Sequence, residues 1–376
     1  MSESAGGLPL VTGGDKSWLQ DESGRAYLDL SMGYGSVWLG HNHPEVVAAV
    51  KAQLDGHAAP GFFPTRVLER VKTALAEFLP ATHVFGGLYS TGMEAVETAL
   101  RAAWQQTGRL DIAGCEASTH GRSYLTSALG GRGSSGQSPA FVHRLPAFAD
   151  ASADEMSKAL ERLSNRVALA AVVIEPIQMT GGGHQTGPAF YEALFSFARE
   201  RGFAVVFDET LTGLYRCGKR FYFELTGQLP DVVILGKGLA NGLPAACVVL
   251  RKEFCWDRGR VKPGSTFWNH PVTCAATAAT LDEILRCEPE DKVQRIEQIV
   301  RAELADLELN GRGAMWCVGV PRADGMAQFA RALLDNGIVV SYYDRYIRLL
   351  PSLNIEPGTL AQACRAIRKV YADSFG

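Results

Sequence analysis
Apolar residues gather into short unbroken runs near the middle of the chain: VVIEP at 172–176, AVVFDET at 204–210 and VVILGKG at 232–238. None alternates apolar with polar, so each reads as a strand buried on both faces. Between the first two, GPAFYEALFSFARERG changes period. Phe190, Leu194 and Phe197 share a helical face, Pro188 suits the first turn, and Gly202 suits the stop. Strand, helix and strand in succession form a βαβ unit, which predicts a mainly parallel sheet in an α/β fold. A second switch of period lies in GLYSTGMEAVETALRAAW. Thr91 and Glu94 there have capping-box spacing, and Val96, Leu100 and Ala103 recur on one face. Around 259–275 the pattern dissolves into GRVKPGSTFWNHPVTC, a turn-rich crossing, and a long helical stretch is expected from Ala275 onward.

Two of the buried strands end on charge. Asp208 closes AVVFD, and Lys237 follows VVILG between two glycines. In a parallel sheet ligands sit beyond the carboxyl ends of the strands, so both side chains can meet one small molecule there. A desolvated amine loses its proton easily and becomes nucleophilic. With an anion opposite, it suggests a Schiff-base lysine and a carboxylate that keeps a pyridine nitrogen protonated, which is the protein's part in pyridoxal phosphate chemistry. A phosphate site is expected where Thr91 and Gly92 lead into the helix, whose first amides and dipole favour an anion. Gly131, Gly133 and Gly136 match a dinucleotide-binding spacing, but no helix opens after them, so they read as a loop.

Taken together, these segments resemble the class III pyridoxal-phosphate aminotransferases of fold type I, over nearly the whole chain. The resemblance runs in order through WLQDESGRAYLDL, GHNHPEVVAAVKAQL, STGMEAVETAL, THGRS, VVIEPIQ, VVFDETLTGLYRCG, LGKGLANGLP, STFWNHPVTCAA, GRGAMW and IRLLPSL. It implies a large domain with a mainly parallel seven-stranded sheet over 46–270. A smaller α+β domain is implied from both termini, 1–45 and 271–376. By the same resemblance Lys237 is the Schiff-base lysine and proton shuttle, Asp208 the pyridinium partner, and Thr91, Gly92 and Met93 the phosphate cup. Thr266 matches a threonine that reaches the phosphate from the neighbouring subunit, which implies a homodimer with shared active sites. Arg348 matches an arginine that receives a substrate carboxylate. Where the family usually carries an aromatic residue before His-Gly, this chain has Thr119 before His120. After Asp-Glu it has Thr210 and Leu211 in place of valine and glutamine.

The implied reaction moves an amino group from an amino donor to a carbonyl acceptor, with specialised biosynthesis as a plausible setting. An aminomutase of the same family is the alternative, and a non-catalytic binding subunit a third reading. Tyr34, Trp38, Tyr215 and Arg348 are expected to line the substrate pocket. His120 reads as orienting the cofactor loop, and Glu175, before Pro176, as an anchor for backbone amides or an arginine. His41 and His43 read as a turn before a helix at Pro44 rather than a metal pair, and no metal site is read elsewhere.

Composition adds limits. With 47% hydrophobic and 20% charged residues over 376 positions, the chain can bury a large core. A net charge of −3 and no basic cluster argue against nucleic acid as a partner. Eight cysteines without CxxC pairing read as buried free thiols in a reducing compartment. MSESAGGLPL has neither a charged n-region nor an apolar h-region, and no run is long enough to span a bilayer, so a cytoplasmic enzyme is expected.

Overall fold
The structure, a computed structural model, describes residues 7–61, 63–131, 138–254 and 264–376. Gly133, Gly136 and Cys255 lie outside the described residues. The strands are β1 (Val11–Asp15), β2 (Trp18–Asp21), β3 (Ala26–Asp29), β4 (His83–Tyr89), β5 (Asp111–Cys115), β6 (Val142–Leu145), β7 (Leu169–Ile174) and β8 (Ala204–Asp208). Then follow β9 (Val232–Leu235), β10 (Ala246–Arg251), β11 (Glu308–Arg312), β12 (Met315–Gly319), β13 (Ile338–Val339), β14 (Ser341–Tyr343) and β15 (Tyr346–Leu349).

Seven of them form the central sheet in the order β4-β10-β9-β8-β7-β5-β6, in which β10 alone runs antiparallel to its neighbours. Every residue of β7, β8 and β9 is buried, which is why these strands carry no polar alternation. Each valine or isoleucine buried there stabilises the fold by about 1.5–3 kcal/mol. The expected βαβ unit is present: β7, the helix Pro188–Arg201, then β8. Gly202 ends that helix in the left-handed conformation, at φ 70°.

Two smaller sheets complete the fold. β1-β2-β3 are joined by β13, which pairs parallel to β3 with Ile338 opposite Leu28, so residues far apart in sequence share one sheet. The other has the order β11-β12-β15-β14. The helix expected from Ala275 begins earlier and spans Pro271–Arg286, because Pro271 takes the first helical position, where its fixed φ suits the first turn. A helix likewise starts at Pro44, after His43. Of the described cysteines all are free, and all but the half-buried Cys287 are buried. Among the described residues no helix is long and apolar enough to cross a membrane.

Candidate active site
The carboxyl edge of the central sheet gathers the chemistry. Asp208 is the last residue of β8, Glu175 follows β7, Thr119 and His120 follow β5, Thr91 follows β4, and Lys237 follows β9 after one glycine. Lys237 opens a single 3-10 turn, Lys237–Ala240, with φ at 43°, a conformation side-chain-bearing residues rarely adopt. Its Nζ donates to Thr210 Oγ1 at 3.4 Å. Burial lowers the amine's pKa, the charges of Arg348 and Arg216 push the same way, and Asp208 and Glu175 oppose them.

Asp208 is 2% exposed, and its Oδ2 lies 2.8 Å from His120 Nδ1. Its Oδ1 accepts the Thr210 amide at 3.2 Å. Burial alone would raise this carboxyl. The His120 hydrogen bond and charge, with Lys237 behind them, hold it below its ordinary value instead. His120 is therefore tied to the carboxylate itself, and its Nε2 is buried without a protein partner.

Glu175 accepts the Thr119 amide at 2.7 Å, which agrees with its reading as an anchor. Burial raises its carboxyl to about 7, with Asp208 adding to the rise and the charges of His120 and Lys237 opposing it. A carboxyl raised on folding stabilises most below its unfolded value of 4.5, and that contribution is lost as pH climbs to about 7. Glu175→Gln keeps an acceptor for Thr119 but cannot ionise. Relative to wild type it is expected to gain about 3 kcal/mol between pH 5 and pH 8. Melting curves at the two pH values check this, and an equal offset at both would refute it.

Facing this cluster is the N-terminus of the helix Gly92–Thr107. Thr91 Oγ1 accepts the Glu94 amide at 3.2 Å, and Glu94 Oε2 accepts the Thr91 amide at 3.0 Å, completing the capping box. The amides of Gly92 and Met93 have no partner within the helix. A Cβ on Gly92 or on Gly236 would lie 3.5 or 3.2 Å from Thr210 Cγ2, so Thr210 sits between the helix start and the lysine turn. Gly121, at φ +136°, packs against Met93 where a Cβ would come within 2.5 Å. Thr119 is exposed, and its hydroxyl lies 2.6 Å from that of Thr180.

The expected substrate residues separate into two groups. Tyr34 is 64% exposed and its ring lies 5.7 Å from the Arg348 guanidinium, whose Nε is buried without a partner. Burial lowers the Arg348 pKa. Tyr34 belongs to a left-handed turn: Met32, Gly33, Tyr34 and Gly35 have φ of 45°, 57°, 58° and 84°. Each non-glycine residue held this way costs about 1–2 kcal/mol. Asp29 Oδ1 helps by accepting the Ser31 and Met32 amides, both at 2.8 Å.

Trp38 corrects the expectation that it lines the pocket. It is 1% exposed, its indole N–H donates to Leu214 O at 2.9 Å, and its face is covered by Arg216 at 3.9 Å. Tyr215 is likewise buried, edge-on to Phe78. Leu211 is buried against Gly35, where a Cβ would lie 2.6 Å from its Cδ1. Thr266 is exposed in the turn before Pro271. Sequence reasoning missed Thr210 as the lysine's partner, though its place two residues after Asp208 was a signal. It missed Arg216 altogether.

The site fits pyridoxal phosphate. Free amides at Gly92 and Met93 suit a phosphate, and Asp208 retains lone pairs for a pyridinium proton. Lys237 offers a half-buried amine to an aldehyde, and the orphaned His120 Nε2 is a donor or acceptor still to be satisfied. A lysine, a buried carboxylate and a phosphate-ready helix on one edge of a seven-stranded sheet define a fold type I pyridoxal-phosphate enzyme.

The chain belongs to the class III aminotransferases, a pyridoxal-phosphate-dependent family: the family model described as "Aminotransferase class-III" matches residues 3–371. A 2-aminoadipate transaminase of Pseudomonas putida is 32% identical, over 94% of this chain and 93% of its own. An acetylornithine aminotransferase of Bacillus anthracis is 32% identical, over 93% and 91%. Among solved structures, a Bacillus anthracis aminotransferase superposes with a TM-score of 0.91 at 19% identity, covering 99% of this chain and 95% of that one. An amine transaminase from an uncultivated Pseudomonas species, described as pyridoxal-phosphate-bound, gives 0.87 at 22%, covering 100% and 97%. The last two show the fold. The named relatives are transaminases, and the aminomutase alternative is not favoured.

Proposed function
We propose that this aminotransferase takes amino-acid donors through Arg348 and Tyr34, with Lys237 as the base that moves the proton at the reacting carbon. The observation that carries the reading is the Arg348 guanidinium, which has a buried Nε without a partner beside an exposed tyrosine. A planar guanidinium holds a carboxylate through two parallel hydrogen bonds. The relatives' named compounds, 2-aminoadipate and acetylornithine, are both amino acids, which suits such a site.

When bound, pyridoxal phosphate supplies an aldehyde for covalent attachment and a ring that draws electrons from the substrate. The chain's own residues do the rest. Gly92 and Met93 hold the phosphate by their amides, and Asp208, kept ionised by His120, keeps the ring nitrogen protonated. Lys237 sheds its proton readily because burial disfavours the ammonium form and outweighs the opposing charges of Asp208 and Glu175. Thr119 lines its side of the site with a hydroxyl rather than a ring.

Two copies share their sites in this reading, each lending Thr266 to the other's phosphate. Support comes from its exposure in a turn, and sedimentation as a monomer at micromolar concentration would remove the idea. A cytoplasmic location goes with it, supported by the free buried thiols.

Arg348→Ala tests the substrate class. KM for amino-acid donors is expected to rise about a hundredfold, with a far smaller effect on amines lacking a carboxylate. An equal change for both kinds of donor would leave Arg348 without this role.

A further inference from the structure
Arg216 is 2% exposed, and no carboxylate pairs with it among the described residues. Burying a guanidinium without an acid is costly, so its contacts deserve a reason. Nη2 donates to Gly35 O at 2.9 Å, while Nη1 reaches Ala314 O and Pro351 O, each at 3.4 Å. Its flat face rests 3.9 Å from the Trp38 ring. The attachment is mutual, since the Ala314 amide donates to Arg216 O at 2.8 Å.

The three carbonyls come from places that matter to one another. Gly35 closes the left-handed turn that carries Tyr34, and Pro351 lies three residues beyond Arg348, just past β15. Such a turn is strained and persists only where its surroundings fix it. A flat fork reaches separated carbonyls from different nitrogens at fixed angles, whereas the three N–H groups of a lysine all radiate from one atom.

We propose that Arg216 is a positioning residue for substrate specificity: it locks the Tyr34 turn to the segment bearing Arg348, so that both side chains face one carboxylate. The proposal rests on the reading of Arg348 given above. It also accounts for the placement of Trp38, whose ring is the seat on which the guanidinium lies.

The test uses the holoenzyme and two probes with the same reactive aminooxy group, aminooxyacetate and methoxyamine, of which only the first carries a carboxylate. Loss of the visible absorbance gives a second-order rate constant for each, and their ratio reads carboxylate recognition whatever the natural substrate. Wild type is expected to favour aminooxyacetate, and Arg348→Ala to lose that preference. Arg216→Lys is expected to cut the ratio at least about tenfold, mostly through aminooxyacetate, because small misplacements of a binding group cost that much. Melting of the cofactor-free variant should show the fold retained.

If Arg216→Lys keeps the wild-type ratio, or slows both probes equally, while Arg348→Ala loses the preference, the positioning role is overturned and the Arg348 reading stands. A wild-type ratio in Arg348→Ala overturns both. Should Arg216→Lys not fold, Trp38→Phe loosens the same seat and is expected to lower the ratio about threefold. An unchanged ratio in that variant would also overturn the proposal.

Discussion
Lys237→Ala is expected to fold normally and to lose turnover by about five orders of magnitude or more. The two halves of this outcome have different causes. Alanine meets the same left-handed strain as lysine at φ 43°, so the backbone cost is unchanged. What the fold loses is one long hydrogen bond to Thr210 and a half-buried cation that burial already disfavours. Chemistry loses more, because in the proposed mechanism the same amine both anchors the cofactor and moves the proton, and no second amine is close enough to replace it among the groups described around the site. Stopped-flow absorbance with glutamate, alanine or ornithine would check this, and turnover near the wild-type rate would end the assignment of Lys237.

Asp208→Asn is expected to lower kcat by about a thousandfold while leaving the His120 contact in place. Asparagine has one oxygen where the carboxylate has two, so turned toward His120 Nδ1 it keeps that contact and gives up the bond from the Thr210 amide. The negative charge does not survive, and with it goes the group proposed to keep the ring nitrogen protonated. In the wild type this carboxyl lies below its ordinary 3.8. Its stabilising contribution is therefore present above that value and lost as pH falls through the still lower folded one. The variant lacks this dependence, so its melting temperature should approach that of wild type as both are acidified toward pH 3. A kcat within a few-fold of wild type would show that Asp208 is structural.

Much of this site could be read from local pattern, because strand ends and helix starts are written in neighbouring residues. The unbroken apolar runs of β7, β8 and β9 announced strands buried on both faces, and hence where Asp208, Glu175 and Lys237 would emerge. Thr91 and Glu94 announced their capping box by spacing alone. Trp38 was misread for a reason that applies to any aromatic residue: its sequence says that it has a face, and not what lies on it. The guanidinium covering it comes from position 216, and that guanidinium binds carbonyls at 35, 314 and 351. Contacts at such separations leave no periodicity. The left-handed turn was more accessible, since Gly33 and Gly35 flank Tyr34 in SMGYG, though two closely spaced glycines also suit an ordinary loop.

The parallel pairing of β3 with β13 has a consequence for the order of events on the ribosome. Leu28 waits for Ile338, which is made 310 residues later. At about 5–20 residues per second, that delay is roughly 15 to 60 s. During it the earliest strands can form only their own antiparallel meander, with one edge unsatisfied, and all seven strands of the central sheet are made before it ends. The proposed carboxylate side of the pocket, split between residues 34 and 348, is thus assembled last. A newborn chain holds its lysine and aspartate long before it can select what to do with them.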